Sequence, residues 1–250
     1  LYSFQPLSVA PSLWGAYSQY MYIDANSIVH KMDPSLPAEI AVMFNPLGAG
    51  FRWAVELPQT KLGDTIVIMG PGQRGLASVI AAREAGAGTI IVTGLAADSD
   101  KLALARLYGA DYTIDVENEN AKDRIKEITG GAGVDIVIDL TPYATRPVVD
   151  AINFARRGGT VVLAGMKGFK AVPDFVSDKV IAKELTIQGA SGVTSSGYRS
   201  AIRAIESGKY ALDAMHTHNF RLDEAELAIK TLARQIPGQE SVHSCLLPEH

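Results

Sequence analysis

From Lys61 to about Gly208, short β-branched runs alternate with segments whose apolar residues recur at i, i+3, i+4 and i+7. This rhythm limits the fold more than any other feature of the chain. Strands are expected at 65–70, 89–94, 112–115, 134–140, 160–165 and 185–190. The helices between them keep an apolar face: Ala121, Ile125 and Ile128 in one, Val148, Ile152 and Ala155 in another, Tyr198, Ala201, Ile202 and Ile205 in the last. Strands apolar on both faces need a parallel sheet covered on both sides. Right-handed crossovers make that sheet doubly wound.

The first strand runs directly into Gly70-Pro71-Gly72-Gln73-Arg74-Gly75, which opens a helix. A G-x-G-x-x-G in any other setting is weak; between a strand and a helix it is the dinucleotide-binding fingerprint. Gly70 permits the tight turn, Gly72 lets the backbone approach a pyrophosphate, and Gly75 lets helix and strand pack closely. The helix N-terminus offers unpaired N–H groups and the positive end of its dipole. The expected architecture is therefore α/β: a Rossmann-type, doubly wound, six-stranded parallel sheet holding NAD or NADP.

The sequence leaves the choice between the two cofactors open. An NAD site places a carboxylate at the end of the second strand, yet that strand ends at Gly94. Asp98 or Asp100 would have to reach back to the ribose; Ser99, Lys101 and Arg106 are the groups near enough to meet a 2′-phosphate. Ligands bind at the carboxyl edge of such sheets, so Thr141, Gly165, Met166 and Ser191, which follow the fourth, fifth and sixth strands, are candidates for the nicotinamide end. Arg74 faces either phosphate or solvent.

The flanks read differently. The expected division is 1–60, a partial segment with connecting helices; 61–208, the nucleotide-binding domain; and 209–250, a return segment. In the last, Asp223 is expected to cap a helix with Ala225, Ala228, Ile229 and Leu232 on its apolar face, before a strand at about 241–247. The chain opens on Leu1 without an initiator Met and reads as a fragment. With 250 residues, 47% of them hydrophobic, it can bury a substantial core. A net charge of −4 offers no nucleic-acid footprint, and the apolar runs are too short to span a membrane. The single Cys245 rules out an internal disulfide and suits a reducing, cytoplasmic setting.

Several stretches, in order and spacing, resemble the medium-chain, zinc-type alcohol dehydrogenase superfamily near its sorbitol and threonine dehydrogenase branches. They are Gly15-Ala16-Tyr17-Ser18-Gln19-Tyr20, Asn45-Pro46-Leu47-Gly48-Ala49-Gly50, Gly63-Asp64-Thr65, the glycine loop, and Leu107-Tyr108-Gly109-Ala110-Asp111. The resemblance implies remnants of a GroES-like catalytic domain at both ends. It implies hydride transfer between a nicotinamide and an alcohol or carbonyl, by a homo-oligomer (dimer or tetramer) for which the sixth strand is an available edge. The family's N-terminal zinc-ligating portion is missing. Asn45 occupies a position where relatives carry Glu, Cys or Asp, and a neutral amide is a poor zinc ligand. Zinc use is thus left open. With no catalytic acid, base or metal set in sight, this chain alone is expected to bind cofactor with little turnover. A zinc-independent, quinone-reductase-like enzyme and a non-catalytic nucleotide-binding module are the alternatives.

Other chemistries find little support. None of the nine tyrosines has a Lys four residues on, and there is no G-x-S-x-G or G-x-x-x-x-G-K motif. His216 and His218, at i and i+2, would face the same way on a strand, but no third ligand is apparent. His30 and His243 read as isolated structural residues, so no metal site is expected.

Overall fold

The structure is a computed structural model describing residues 5–248; the opening residues that suggested a fragment lie outside that range. The described chain divides into two compact units: Met43–Ala211, and a second unit made of the flanking residues up to Val42 and from Leu212 onward.

The larger unit contains the six parallel strands β1 (Thr65–Met69), β2 (Thr89–Gly94), β3 (Tyr112–Asp115), β4 (Val134–Asp139), β5 (Ala155–Leu163) and β6 (Thr186–Gly189). Their order is β3-β2-β1-β4-β5-β6. Register is set by runs of branched residues: Ile66 lies beside Ile90 on one side and Ile136 on the other. Alternation sends Val67, Met69, Ile91, Val137 and Val161 into one buried cluster with Ile125, Ala151 and Phe154. Ile66, Ile68, Ile90 and Ile138 face the other side, also fully buried. Each such side chain contributes about 1.5–3 kcal/mol of hydrophobic burial, which is why both faces must be covered.

The expected strands are all present. The fifth begins earlier than its periodicity suggested, at Ala155, because its first residues pair with β4 through an irregular stretch; the register shifts between Val134 and Ile136. Glycines make room there: a Cβ on Gly159 would lie 3.0 Å from the Arg156 carbonyl oxygen.

The covering helices, in chain order after the short α1 (Ala38–Ala41), are α2 (Phe44–Phe51, continuing into a π-helical stretch Arg52–Glu56), α3 (Gln73–Glu84), α4 (Ser99–Leu107), α5 (Ala121–Ile128), α6 (Arg146–Phe154), α7 (Ser177–Lys183) and α8 (Ser195–Glu206). α2 packs on α3 and α8 through glycines. A Cβ on Gly50 would sit 2.5 Å from the Ala77 carbonyl, and one on Gly48 would sit 2.9 Å from Tyr198. This close backbone approach holds residues 43–60 in the larger unit, which therefore begins before the expected 61. At the other end, Tyr108 Oη donates to Ala211 O at 3.0 Å, carrying the unit past the expected 208.

The smaller unit pairs β7 (His216–Arg221) with β8 (His243–Leu247) in parallel, linked through α9 (Ala225–Leu232). Asp223 does not cap α9 as expected; its carboxylate is taken by Arg221. Glu224 is the N-cap residue, and its side chain accepts from Arg221 N at 2.9 Å. The alternating residues 20–23 and 28–30 form no strand.

Candidate functional site

In this strand order the chain reverses direction between β1 and β4, so the crevice outside their carboxyl ends is the topological switch point. The glycine loop lies there. Gly70 has φ +102°, which L side chains rarely adopt, and its N–H donates to Thr93 O at 2.9 Å, tying the turn to β2. Gly72 is the N-cap of α3. A Cβ built on it meets nothing within 4 Å, so its edge is open. Gly75 is the opposite case: a Cβ would fall 2.0 Å from Gly70 O. The loop therefore needs one glycine for conformation, one for packing, and one whose bare backbone faces open space.

The neighbouring loops converge on it. A Cβ on Gly70 would lie 3.4 Å from Thr141 Cγ2, one on Gly165 2.3 Å from Thr141 O, and one on Gly94 3.0 Å from Pro71. Gly70, Gly94, Thr141 and Gly165 are thus brought together at one edge. Gln73 opens α3 beside them. Ser191 follows β6 at the same edge of the sheet and is exposed. Met166 is also exposed; its carbonyl accepts from Tyr143 N at 2.9 Å. Two expected residues turn elsewhere. Arg74 lies over the Trp53 ring, 5.7 Å from its centroid, and Lys101 Nζ is 3.7 Å from Asp98 Oδ1.

Three polar residues at this edge escaped the sequence reading. Asp139 ends β4 and is fully buried; Oδ1 accepts from Thr141 N at 3.0 Å and from Thr141 Oγ1 at 2.6 Å. Its Oδ2 meets Lys167 Nζ at 2.8 Å, and the same ammonium donates to Thr141 O and Oγ1. This clamp fixes the loops after β4 and β5 to each other. An acid closing an otherwise apolar Ile136–Ile138 run was a visible signal for Asp139; Lys167 is recognisable only once the following loop is folded. Glu117 is the third: its Oε2 accepts from Ala96 N at 2.8 Å, bringing a carboxylate to the end of β2 where Gly94 offers none. Asp98 Oδ2 accepts from Leu95 N at 3.1 Å, adding a second. Arg106 is engaged with Thr113 Oγ1 at 2.9 Å.

Asn45 lies in the first turn of α2 and donates from Nδ2 to Tyr198 Oη at 3.2 Å. A neutral amide already hydrogen-bonded to a phenol does not suit a zinc ligand.

The histidine reading needs correction. A register shift falls between His216 and His218, so the two do not converge. His218 stacks on Phe220, with centroids 5.7 Å apart. His243 is not isolated: its Nδ1 lies 3.1 Å from His216 Nδ1, and Cys245 lies beside them, the three ligand-capable atoms within 4.8 Å of one another. Burial, and secondarily His216, pushes the His243 imidazole down to about 4; burial, then Glu39, pushes the Cys245 thiol up to about 11.

Sheet order and glycine loop together define a Rossmann-type dinucleotide-binding protein. The comparisons narrow this. A family model described as zinc-binding dehydrogenase matches residues 75–207. A protein named probable alcohol dehydrogenase from Mycobacterium tuberculosis is 42% identical over 99% of this chain, which spans 68% of that protein. An erythritol/L-threitol dehydrogenase from Mycolicibacterium smegmatis is 35% identical over 94% of the chain and 62% of its own length. Among solved structures, an alcohol dehydrogenase from Thermotoga maritima superposes with TM-score 0.86 at 27% identity, covering 98% of this chain and 67% of that one. A protein from Sinorhizobium meliloti described as a zinc-binding dehydrogenase, solved bound to NADP, has TM-score 0.74 at 28% identity, over 87% of this chain and 61% of its own. The chain belongs to the zinc-binding dehydrogenase family of alcohol dehydrogenase-like oxidoreductases, and the matched segment is that family's NAD(P)-binding part.

Proposed function

We propose that the Met43–Ala211 unit binds a nicotinamide dinucleotide across the glycine loop, and that the protein to which this chain belongs moves a hydride between that cofactor and a small alcohol or carbonyl. The observation carrying this is the open backbone edge at Gly72, on the N-terminus of α3, at the switch point of the sheet. Unpaired first-turn amides and the helix dipole hold the pyrophosphate there. Gly70, Thr141 and Gly165 line the way to the nicotinamide end. Bound there, the nicotinamide supplies hydride exchange at its C4. The Asp139–Lys167–Thr141 clamp fixes the loops that would border the nicotinamide. Since Asp139 and Lys167 are committed to each other and to Thr141, neither is a ready proton-transfer group, and the chain by itself binds cofactor with little turnover.

At the adenosine end, the carboxylates of Asp98 and Glu117 surround Leu95 and Ala96, and Lys101 is drawn to Asp98. That field suits a neutral ribose hydroxyl and opposes a 2′-phosphate, so NADH is expected to bind more tightly than NADPH by about tenfold, or about 1.4 kcal/mol. Titration of each against the chain, followed by nicotinamide fluorescence, tests this. Equal affinities overturn the electrostatic argument, and binding of neither overturns the site. The Asn45–Tyr198 contact supports a second reading of the chemistry, a reductase that works without zinc at that position. A homo-oligomer paired through the free edge of β6 fits the sheet order. The buried, unpaired Cys245 agrees with a reducing, cytoplasmic setting. Among the described residues, no helix is long and apolar enough to cross a membrane.

A further inference from the structure

The smaller unit has a feature that cofactor binding does not use. β7 and β8 pair in parallel, and His216, His243 and Cys245 meet across that pair. We propose that His216 Nδ1, His243 Nδ1 and Cys245 Sγ form a binding site for a borderline-soft divalent ion, Zn²⁺ by ligand type.

The geometry favours this. Around tetrahedral Zn²⁺, with bonds of about 2.0 Å to nitrogen and 2.3 Å to sulfur, ligand atoms stand about 3.3–3.6 Å apart. The two Nδ1 atoms are already 3.1 Å apart, and one ligand-capable atom from each of the three residues lies within 4.8 Å of the others. The 4.8 Å bound exceeds tetrahedral spacing by about 1 Å, a gap that rotation of the side chains can close.

The surrounding groups also orient the set. His216 Nε2 lies 3.0 Å from Asn219 Oδ1. An amide oxygen only accepts, so Nε2 carries the proton and the His216 Nδ1 lone pair points toward His243. A metal-bound histidine commonly has its second nitrogen fixed this way. Thr217 Oγ1 donates to His243 O at 2.8 Å and accepts from Val242 N at 3.2 Å, holding the backbone of β8 in place. His243 and Cys245 are buried while His216 is half-exposed, giving a dry floor with access from one side. On binding, the Cys245 thiol loses its proton to solvent as the metal–sulfur bond forms, and His243 moves its ring proton to Nε2.

Co²⁺ is the probe, because a cobalt–thiolate bond absorbs in the near ultraviolet and this chain has one cysteine. The expected result is one Co²⁺ per chain with a thiolate charge-transfer band that Zn²⁺ displaces. Cys245→Ser abolishes the band, His216→Ala and His243→Ala weaken binding by more than about tenfold, and Asn219→Ala weakens it about tenfold. His30→Gln leaves it unchanged. Saturating Co²⁺ that gives no thiolate band with the folded parent chain overturns the proposal whatever the variants do. A band that survives both histidine substitutions overturns it too, leaving the trio as a hydrogen-bonded core cluster.

Discussion

Gly72 and Gly75 lie three positions apart in one loop and face opposite demands. At Gly75 the obstacle is backbone: an added Cβ would overlap Gly70 O at 2.0 Å. Gly75→Ala is expected to lower stability by roughly 1–3 kcal/mol, the range for overpacking, seen as a lower urea midpoint. At Gly72 the backbone is ordinary (φ −65°) and the space is open. Gly72→Ala is expected to leave the urea midpoint nearly unchanged and to weaken NADH binding, since the methyl group would occupy the pyrophosphate's place. If the two variants behave alike, the two glycines do not divide packing and cofactor approach between them. Lys167 offers a second test. Removing it by Lys167→Met strands the fully buried Asp139 carboxylate, at a cost of about 3 kcal/mol. Adding Asp139→Asn to that variant should recover much of the loss in denaturation measurements, because the orphaned charge goes with it.

Among the elements, the end of α3 shows how a helix is tied to its surroundings. Glu84 accepts from Lys209 Nζ at 2.5 Å and from Tyr210 Oη at 2.6 Å. The Lys209 hydrogen bond first, and Tyr210 second, hold the Glu84 carboxyl below its ordinary 4.5. A carboxylate whose pKa is lowered on folding stabilises above the unfolded value and loses that contribution as pH falls through the folded one. Because the pair is partly exposed, it is worth a few tenths of a kcal/mol. Glu84→Gln should therefore be slightly less stable than the parent at pH 7, with the gap closing as pH drops below about 4.5; urea midpoints at a series of pH values would show it. The elements themselves were largely legible. β2 and β3 span the residues that their β-rich runs mark out, 89–94 and 112–115. The start of β5 was not legible, since Ala155-Arg156-Arg157-Gly158-Gly159 pairs with β4 only through an irregular register that periodicity does not encode. Nor was the cap of α9: Asp and Glu stand side by side at 223 and 224, and in the fold both carboxylates go to Arg221, Asp223 to its guanidinium and Glu224 to its backbone N–H, leaving α9 without a side-chain cap.

At the scale of the whole molecule, local pattern determined the sheet, its parallel sense and the place of the glycine loop. Those follow from alternation within a few residues and from crossovers of one hand. The family resemblance rested on motifs of the same short range, and the comparisons agree with it. Tertiary structure alone decided which distant residues meet. Asp139 finds Lys167 after two loops close over the sheet edge, and Glu117 supplies the charge that Gly94 lacks by reaching across from the end of β3. The trio of His216, His243 and Cys245 depends on the register of β7 against β8, where a shift of one residue would turn the side chains to the opposite face. Register is a property of two strands at once, so neither strand's sequence states it; the periodicities that do reside in the sequence build the frame, and packing between distant parts of that frame selects the chemistry.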